Sequence, residues 1–199
     1  METEWKDLNV FYSDCCVPGE GEHKIMDFIR YSKEALFFNE STTHCVYSPD
    51  ADVILLTLAL NLRYICIIKE DTTIKPSMSW TATSTYRKLG APLFELVFIN
   101  ILREYLQSEF EEELRTVKGS TIQQIINDFV LLMAFIGNDF LPVEFCFTLT
   151  NVHMDGLLNS YKEYLREHRD FINNDGVIDW KRVSELLKVA RKFEANRIR

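Results

Sequence analysis

Five acids in three separate stretches of the chain have residue types and spacing suited to chemistry. Glu20 and Glu22 stand in Val17-Pro-Gly-Glu-Gly-Glu-His-Lys24, Asp50 and Asp52 in Tyr47-Ser-Pro-Asp-Ala-Asp-Val53, and Asp139 in Ile136-Gly-Asn-Asp-Phe-Leu-Pro142. Each stretch is flanked by strongly apolar sequence. Carboxylates beside a core are costly unless something pairs with them. A divalent cation such as magnesium or manganese would supply that countercharge and prefers hard oxygen ligands. The chemistry such a group performs is metal-assisted hydrolysis of a phosphodiester.

Each group also has a plainer reading. Two glutamates suit a helix N-terminus through its dipole. Asp50 suits an N-cap, and Gly137-Asn-Asp139 suits a capping turn. Repetition favours the metal. Parallel strands that each end in a carboxylate pair at i and i+2 would present four acids at one sheet edge. Left unneutralised, they would repel one another.

The elements that must position these acids follow from hydrophobic spacing. Asn9–Ser13 reads as a first strand, and residues 20–38 as a helix with Ile25, Phe28, Ile29, Ser32 and Leu36 on one side. His44–Tyr47 reads as a second strand, residues 50–60 as a short apolar helix, and Tyr64–Lys69 as a third strand. That alternation implies an α/β layer with parallel pairing. A polar loop over 70–92 precedes a mainly helical remainder. Phe94–Leu114 is expected to be helical. A further helix starts at a capping box, Ser120-Thr-Ile-Gln123, and stops at Gly137. It is apolar nearly all round and therefore central. Amphipathic helices over Asp155–His168 and Asp179–Phe193 complete the chain, with a turn at Asn173-Asn-Asp-Gly176. The expected division is residues 1–75 as part of an α/β core and residues 76–199 as a helical extension carrying Asp139.

The chain has 199 residues, 47% of them hydrophobic, and a formal net charge of −8. It can build a real core. The acidic balance argues against a nucleic-acid binder that works through a general basic surface. It does not exclude a nuclease whose acids are neutralised by bound cations. No apolar run approaches a membrane span, and Met1–Trp5 lacks the start of a secretory signal. Five cysteines without a C-x-x-C pattern read as reduced intracellular thiols, mostly filling core. His23, Lys24 and Arg30 are candidate contacts to a nucleic-acid backbone, the plainer reading being the wet face of a helix. Tyr12, Tyr47 and Trp80 are candidates for base stacking, with core packing the plainer reading for Tyr12 and Tyr47.

Four blocks together resemble the XRN-type 5′→3′ exoribonucleases. They are Pro18-Gly-Glu-Gly-Glu-His-Lys-Ile-Met-Asp-Phe-Ile-Arg30, Asp50-Ala-Asp52 with its apolar helix, Leu102-Arg-Glu-Tyr-Leu106, and Ile126-Asn-Asp-Phe-Val130 running on to Gly137-Asn-Asp-Phe-Leu-Pro142. The resemblance covers nearly the whole chain. It implies an α/β fold with a partial parallel-sheet nuclease core, of the flap-endonuclease or PIN-like kind, followed by a mainly helical extension. By matching position it makes Glu20, Glu22, Asp50, Asp52 and Asp139 catalytic metal-site acids. A complete site would hold two Mg2+ or Mn2+ ions, about 3.5–4 Å apart in such sites. The implied activity is stepwise removal of nucleotides from RNA bearing a 5′ monophosphate, with no membrane role.

Family members begin with a segment that supplies further metal-binding aspartates and the basic residues gripping the 5′ phosphate. Few residues precede the first expected strand here. The resemblance therefore implies the C-terminal half of the nuclease core plus the start of the helical region, with the missing N-terminal half as a partner. Some nuclear relatives carry a zinc knuckle between the aspartate pair and the later helices. Residues 67–93 contain no cysteine or histidine, which leans towards a cytoplasmic type. Two alternatives stand beside the exoribonuclease. One is an inactive remnant or RNA-binding scaffold lacking the 5′-phosphate pocket. The other, ranked lowest, is a flap-type DNA nuclease, which would carry a glycine-rich turn where Phe140-Leu-Pro142 stands.

Overall fold

The structure is a computed structural model that describes residues 6–35, 38–70, 93–117, 119–138, 141 and 151–195. Its chain divides into two compact units, Met1–Asn39 and Glu40–Arg199.

In the first unit, helix α1 spans Gly21–Glu34. Its buried positions are Met26 and Ile29, while Ile25 and Phe28 remain partly open to solvent. Ile29 is thus buried as the spacing indicated, whereas one turn earlier Met26 rather than Ile25 takes the buried position. Phe28 instead packs against Phe11, with ring centroids 4.9 Å apart. Residues 8–14 form no strand. Leu8, Val10, Phe11 and Tyr12 are all exposed, Tyr12 to 85%, so this stretch lacks the buried face that would fix a strand.

The second unit opens with strand β1 (His44–Tyr47), helix α2 (Asp52–Ala59) and strand β2 (Ile65–Glu70). The two strands pair in parallel, with Val46 opposite Ile67. Strand β3 (Phe94–Phe98) follows and pairs antiparallel with β2, so the sheet order is β1-β2-β3 and the sheet is mixed rather than parallel. The sequence suggested a helix over this stretch because Phe94 and Phe98 fall four apart. The same five residues, Phe-Glu-Leu-Val-Phe, also suit a strand, and ladder bonds to β2 decide between the two. Helix α3 (Ile99–Glu109) starts directly after β3, and α4 covers Glu111–Thr116.

Helix α5 (Ile122–Ile136) starts at Thr121. Thr121 accepts from the Gln124 backbone while the Gln124 side chain accepts from the Thr121 N–H. The capping box thus lies one residue later than the sequence suggested, because Ser120 turns its hydroxyl to the Leu114 carbonyl at 2.7 Å. As expected, α5 is central. Helices α2, α3 and α5 pack together, with α2 and α3 against β2, and they bury Val53, Leu58, Ile99, Ile125, Ile126 and Leu132. Helix α6 (Asn151–His168) packs on α7 (Trp180–Ala195). Between them is a two-stranded hairpin, β4 (Asn173–Asn174) and β5 (Val177–Ile178). Its turn residues, Asp175 and Gly176, have φ of 49° and 90°. Positive φ at both positions matches the twist of paired strands and explains the Asp-Gly pair.

No described helix is long and apolar enough to cross a membrane.

Candidate metal centre

The first carboxylate pair is set by the start of α1. Gly19 has φ 104°, a conformation that favours glycine and turns the chain into the helix. Gly21 is ordinary helix and needs no such freedom. Glu20 is the N-cap residue in extended backbone, and its carbonyl accepts from the Lys24 N–H at 3.1 Å. The Glu20 side chain makes no capping hydrogen bond and is about half exposed. His23 Nε2 lies 4.0 Å from Glu20 Oε2. Glu22, half-buried, sits in the first turn, where the helix dipole favours a negative charge. Lys24 extends back along the turn, and its Nζ donates to the Asp14 carbonyl at 2.8 Å. Arg30 pairs with Asp27 at 2.8 Å on the exposed side of the helix.

The second pair is set by the end of β1. The Ser48 N–H donates to the Ile68 carbonyl and extends the parallel ladder by one residue. The Ser48 hydroxyl then accepts from the Asp50 N–H at 3.1 Å, and Asp50 Oδ1 accepts from the Asp52 N–H at 2.9 Å. Asp50 thus holds the first N–H of α2 from one residue ahead of the N-cap position, Ala51, which makes no side-chain bond of its own, and so fills the capping role of its plainer reading. Both aspartates are half-buried and stand beyond the carboxyl end of a parallel strand, where open α/β sheets bind ligands. Capping and metal binding do not compete for the whole carboxylate, since the turn engages Oδ1.

Asp139 lies outside the described residues, as do Trp80 and Cys146. Glu20 and Glu22 belong to the first unit, Asp50 and Asp52 to the second. Among the described residues, no three histidine, cysteine or acidic side chains gather as a metal-holding group. The donors themselves, hard carboxylate oxygens in two short turns, suit a hard divalent cation such as magnesium or manganese.

Several residues lie where the sequence reading did not put them. Tyr47 is 57% exposed rather than core, and its hydroxyl donates to Glu70 Oε1 at 2.5 Å across β1 and β2. That hydrogen bond, with some desolvation and the Glu70 charge, pushes the Tyr47 hydroxyl pKa up. Cys15, Cys16 and Cys45 are exposed and Cys66 is half-buried, so none of these four fills core.

Asp128 was not singled out, yet it is fully buried. It accepts from the Tyr161 hydroxyl and from the backbone N–H groups of Ile172 and Asn173. Its signal in the sequence was an acid inside a helix that is apolar nearly all round. Arg103 also holds elements together. Its guanidinium donates to Gln123 Oε1 on α5 at 3.0 Å and to Asn61 Oδ1 beyond α2 at 2.7 Å. Burial pulls the Arg103 pKa down from its ordinary value.

Comparison with known proteins adds independent findings. A family model described as "XRN 5'-3' exonuclease N-terminus" matches residues 1–71, and one described as "Xrn1 helical domain" matches residues 120–198. The chain is 35% identical over 199 residues to "5'-3' exoribonuclease 1" of Saccharomyces cerevisiae, covering 97% of this chain and 12% of the relative. It is 34% identical to the protein of that name in Schizosaccharomyces pombe, covering 97% and 14%. It is 36% identical over 192 residues to "5'-3' exoribonuclease 2" of Yarrowia lipolytica, covering 94% and 18%. The chain thus spans between about an eighth and a fifth of the length of these relatives.

Proposed function

The chain belongs to the XRN 5′→3′ exonuclease family, and from that membership we propose that it forms part of the core of an exoribonuclease that shortens RNA from its 5′ end. The observation that carries this reading is the turn after β1. Two half-buried aspartates stand there at the carboxyl end of a parallel strand, inside the stretch matched by the nuclease family model.

In this reading Asp50, Asp52, Glu20, Glu22 and Asp139 hold magnesium or manganese. Bound metal would supply an activated water and neutralise the leaving oxygen of the scissile phosphodiester. Asp50 positions its own carboxylate by capping α2, so the helix fixes the direction from which that group meets its ligand. Lys24 and His23 share the α1 turn with the glutamates, and with Arg30 on the same helix they would be the donors offered to a nucleic-acid backbone. The substrate proposed is RNA with a 5′ monophosphate. Residues 1–75 would belong to the α/β core and residues 76–199 to the helical extension. A family N-terminal half would be the partner, and the cytoplasm the compartment. The names of the relatives do not favour the inactive-scaffold alternative.

The test is a Mn2+ titration of the 199-residue chain followed by thermal unfolding. A ligand that binds only the native state stabilises it, by about 2.7 kcal/mol at a hundredfold excess over Kd. Stabilisation that Asp50→Asn and Asp139→Asn each abolish supports the assignment, together with Mg2+-dependent decay of 5′-monophosphorylated RNA. A melting temperature indifferent to Mn2+ overturns the metal assignment.

A further inference from the structure

Cys45 on β1 and Cys66 on β2 are register partners in the parallel pair, and their sulfur atoms lie 3.5 Å apart. They sit on the sheet face opposite the buried Val46 and Ile67. Neighbouring strands run about 4.8 Å apart. That falls within the range of about 4.4–6.8 Å over which two Cα atoms accept a disulfide. Closing the sulfur gap therefore needs side-chain rotation and little movement of the ladder. Cys45 is exposed, so an oxidant in solution reaches it. Cys66 is half-buried and donates its S–H towards the Cys45 sulfur. Burial first, then that hydrogen bond and the charge of Cys45, push the Cys66 thiol pKa up. The proton therefore stays on Cys66, and Cys45, the exposed member of the pair, is the sulfur an oxidant meets first.

We propose that Cys45 and Cys66 form an oxidation site at which a hydroperoxide converts the dithiol into a cross-strand disulfide. The Cys45 thiolate attacks the peroxide, an S–O bond forms and the O–O bond breaks. The departing oxygen takes a proton and leaves as an alcohol, or as water from hydrogen peroxide. Cys66 then loses its proton and attacks the Cys45 sulfenic acid. The S–S bond forms, the S–O bond breaks, and the hydroxide leaves as water. The two cysteines give up two electrons and two protons in total. The bridge fixes the register of the strand that ends at the Ser48–Asp52 turn. None of this rests on the nuclease reading, and no RNA assay enters its test.

The reduced 199-residue chain is treated with hydrogen peroxide, alkylated, digested and mapped by mass spectrometry. The expected product is an intramolecular Cys45–Cys66 cross-link that dithiothreitol reverses. In Cys66→Ser the bridge cannot form, and Cys45 should accumulate as sulfenic acid trapped by dimedone. Circular dichroism of Cys45→Ser and Cys66→Ser should match the parent, since both changes are nearly isosteric. The proposal is overturned if Cys45 stays reduced while exposed Cys15 and Cys16 oxidise. It also fails if Cys45 bridges only to another chain, or if dimedone traps it equally with and without Cys66.

Discussion

Asp128 on α5 and Tyr161 on α6 share a hydrogen bond of 2.5 Å, with both side chains fully buried. The same carboxylate accepts from Ile172 N at 2.9 Å and Asn173 N at 2.6 Å. One side chain thus ties the central helix to the next helix and to the hairpin that follows it. Asp128→Ala would strand two buried donors, Tyr161 and Ile172, each costing about 1–3 kcal/mol when left unsatisfied, and a third, the Asn173 N–H, that is half-buried. The expected loss is about 3 kcal/mol or more by urea denaturation. Asp128→Asn keeps one acceptor oxygen but points an amide at another donor, so its loss should be substantial too. A change below about 1 kcal/mol for Asp128→Ala would refute this role.

The same burial sets a pH dependence. Desolvation raises the Asp128 pKa from 3.8 to about 6, against the lowering pull of Tyr161, the two backbone donors and Arg182. The folded chain therefore holds this proton more tightly than the unfolded chain. Its contribution to stability is fully present below about pH 3.8 and is lost as pH rises through about 6. The displacement corresponds to about 3 kcal/mol as an order of magnitude. Urea melts from pH 4 to 7 should show the parent losing stability with rising pH relative to Asp128→Asn. A flat difference between the two curves would contradict the raised pKa.

Asp50 has two roles that different substitutions separate. Its Oδ1 caps the first turn of α2, a role asparagine also fills. Asp50→Asn should therefore leave metal-free stability within about 0.5 kcal/mol of the parent, while Asp50→Ala loses about 1 kcal/mol. Both should abolish the Mn2+-dependent gain in melting temperature. If Asp50→Asn keeps that gain, the carboxylate charge is not a metal ligand.

The parts legible in the sequence were those fixed locally. The bond from Asp50 to the start of α2, the Gly137 stop and the hairpin turn at Asp175-Gly176 each depend on residues within a few positions. Less legible were features that depend on partners far along the chain. Strand β3 reads equally as helix until β2 supplies its hydrogen bonds. Val10, Phe11 and Tyr12 have strand-forming side chains but lack the ladder and the buried face that would make them one. Asp128 looked like any polar interruption in α5, because its donors come from residues 33 to 45 positions later. Of the five acids, Glu20, Glu22, Asp50 and Asp52 could be read from the sequence because they fall in two short local turns.

Glu113 on α4 is buried to 1% exposure, and its carboxylate meets Arg166 of α6 at 2.8 Å. The same guanidinium reaches the exposed Glu112 at 3.1 Å. These two contacts differ in value despite similar distances. Removing Glu112 should cost less than about 0.5 kcal/mol, because exposed pairs are screened by water. Arg166→Ala leaves the Glu113 carboxylate buried without its cation. Breaking a fully buried pair costs about 3–5 kcal/mol. Arg166 is itself half exposed, so water recovers part of that cost, and the expected loss is about 1–3 kcal/mol. Replacing both partners, Glu113→Leu with Arg166→Met, should recover most of the loss, since no charge then remains to be compensated. A double-mutant cycle by urea denaturation measures the coupling. Equal losses for Glu112→Ala and Arg166→Ala would show that burial of Glu113 does not set the strength of this contact.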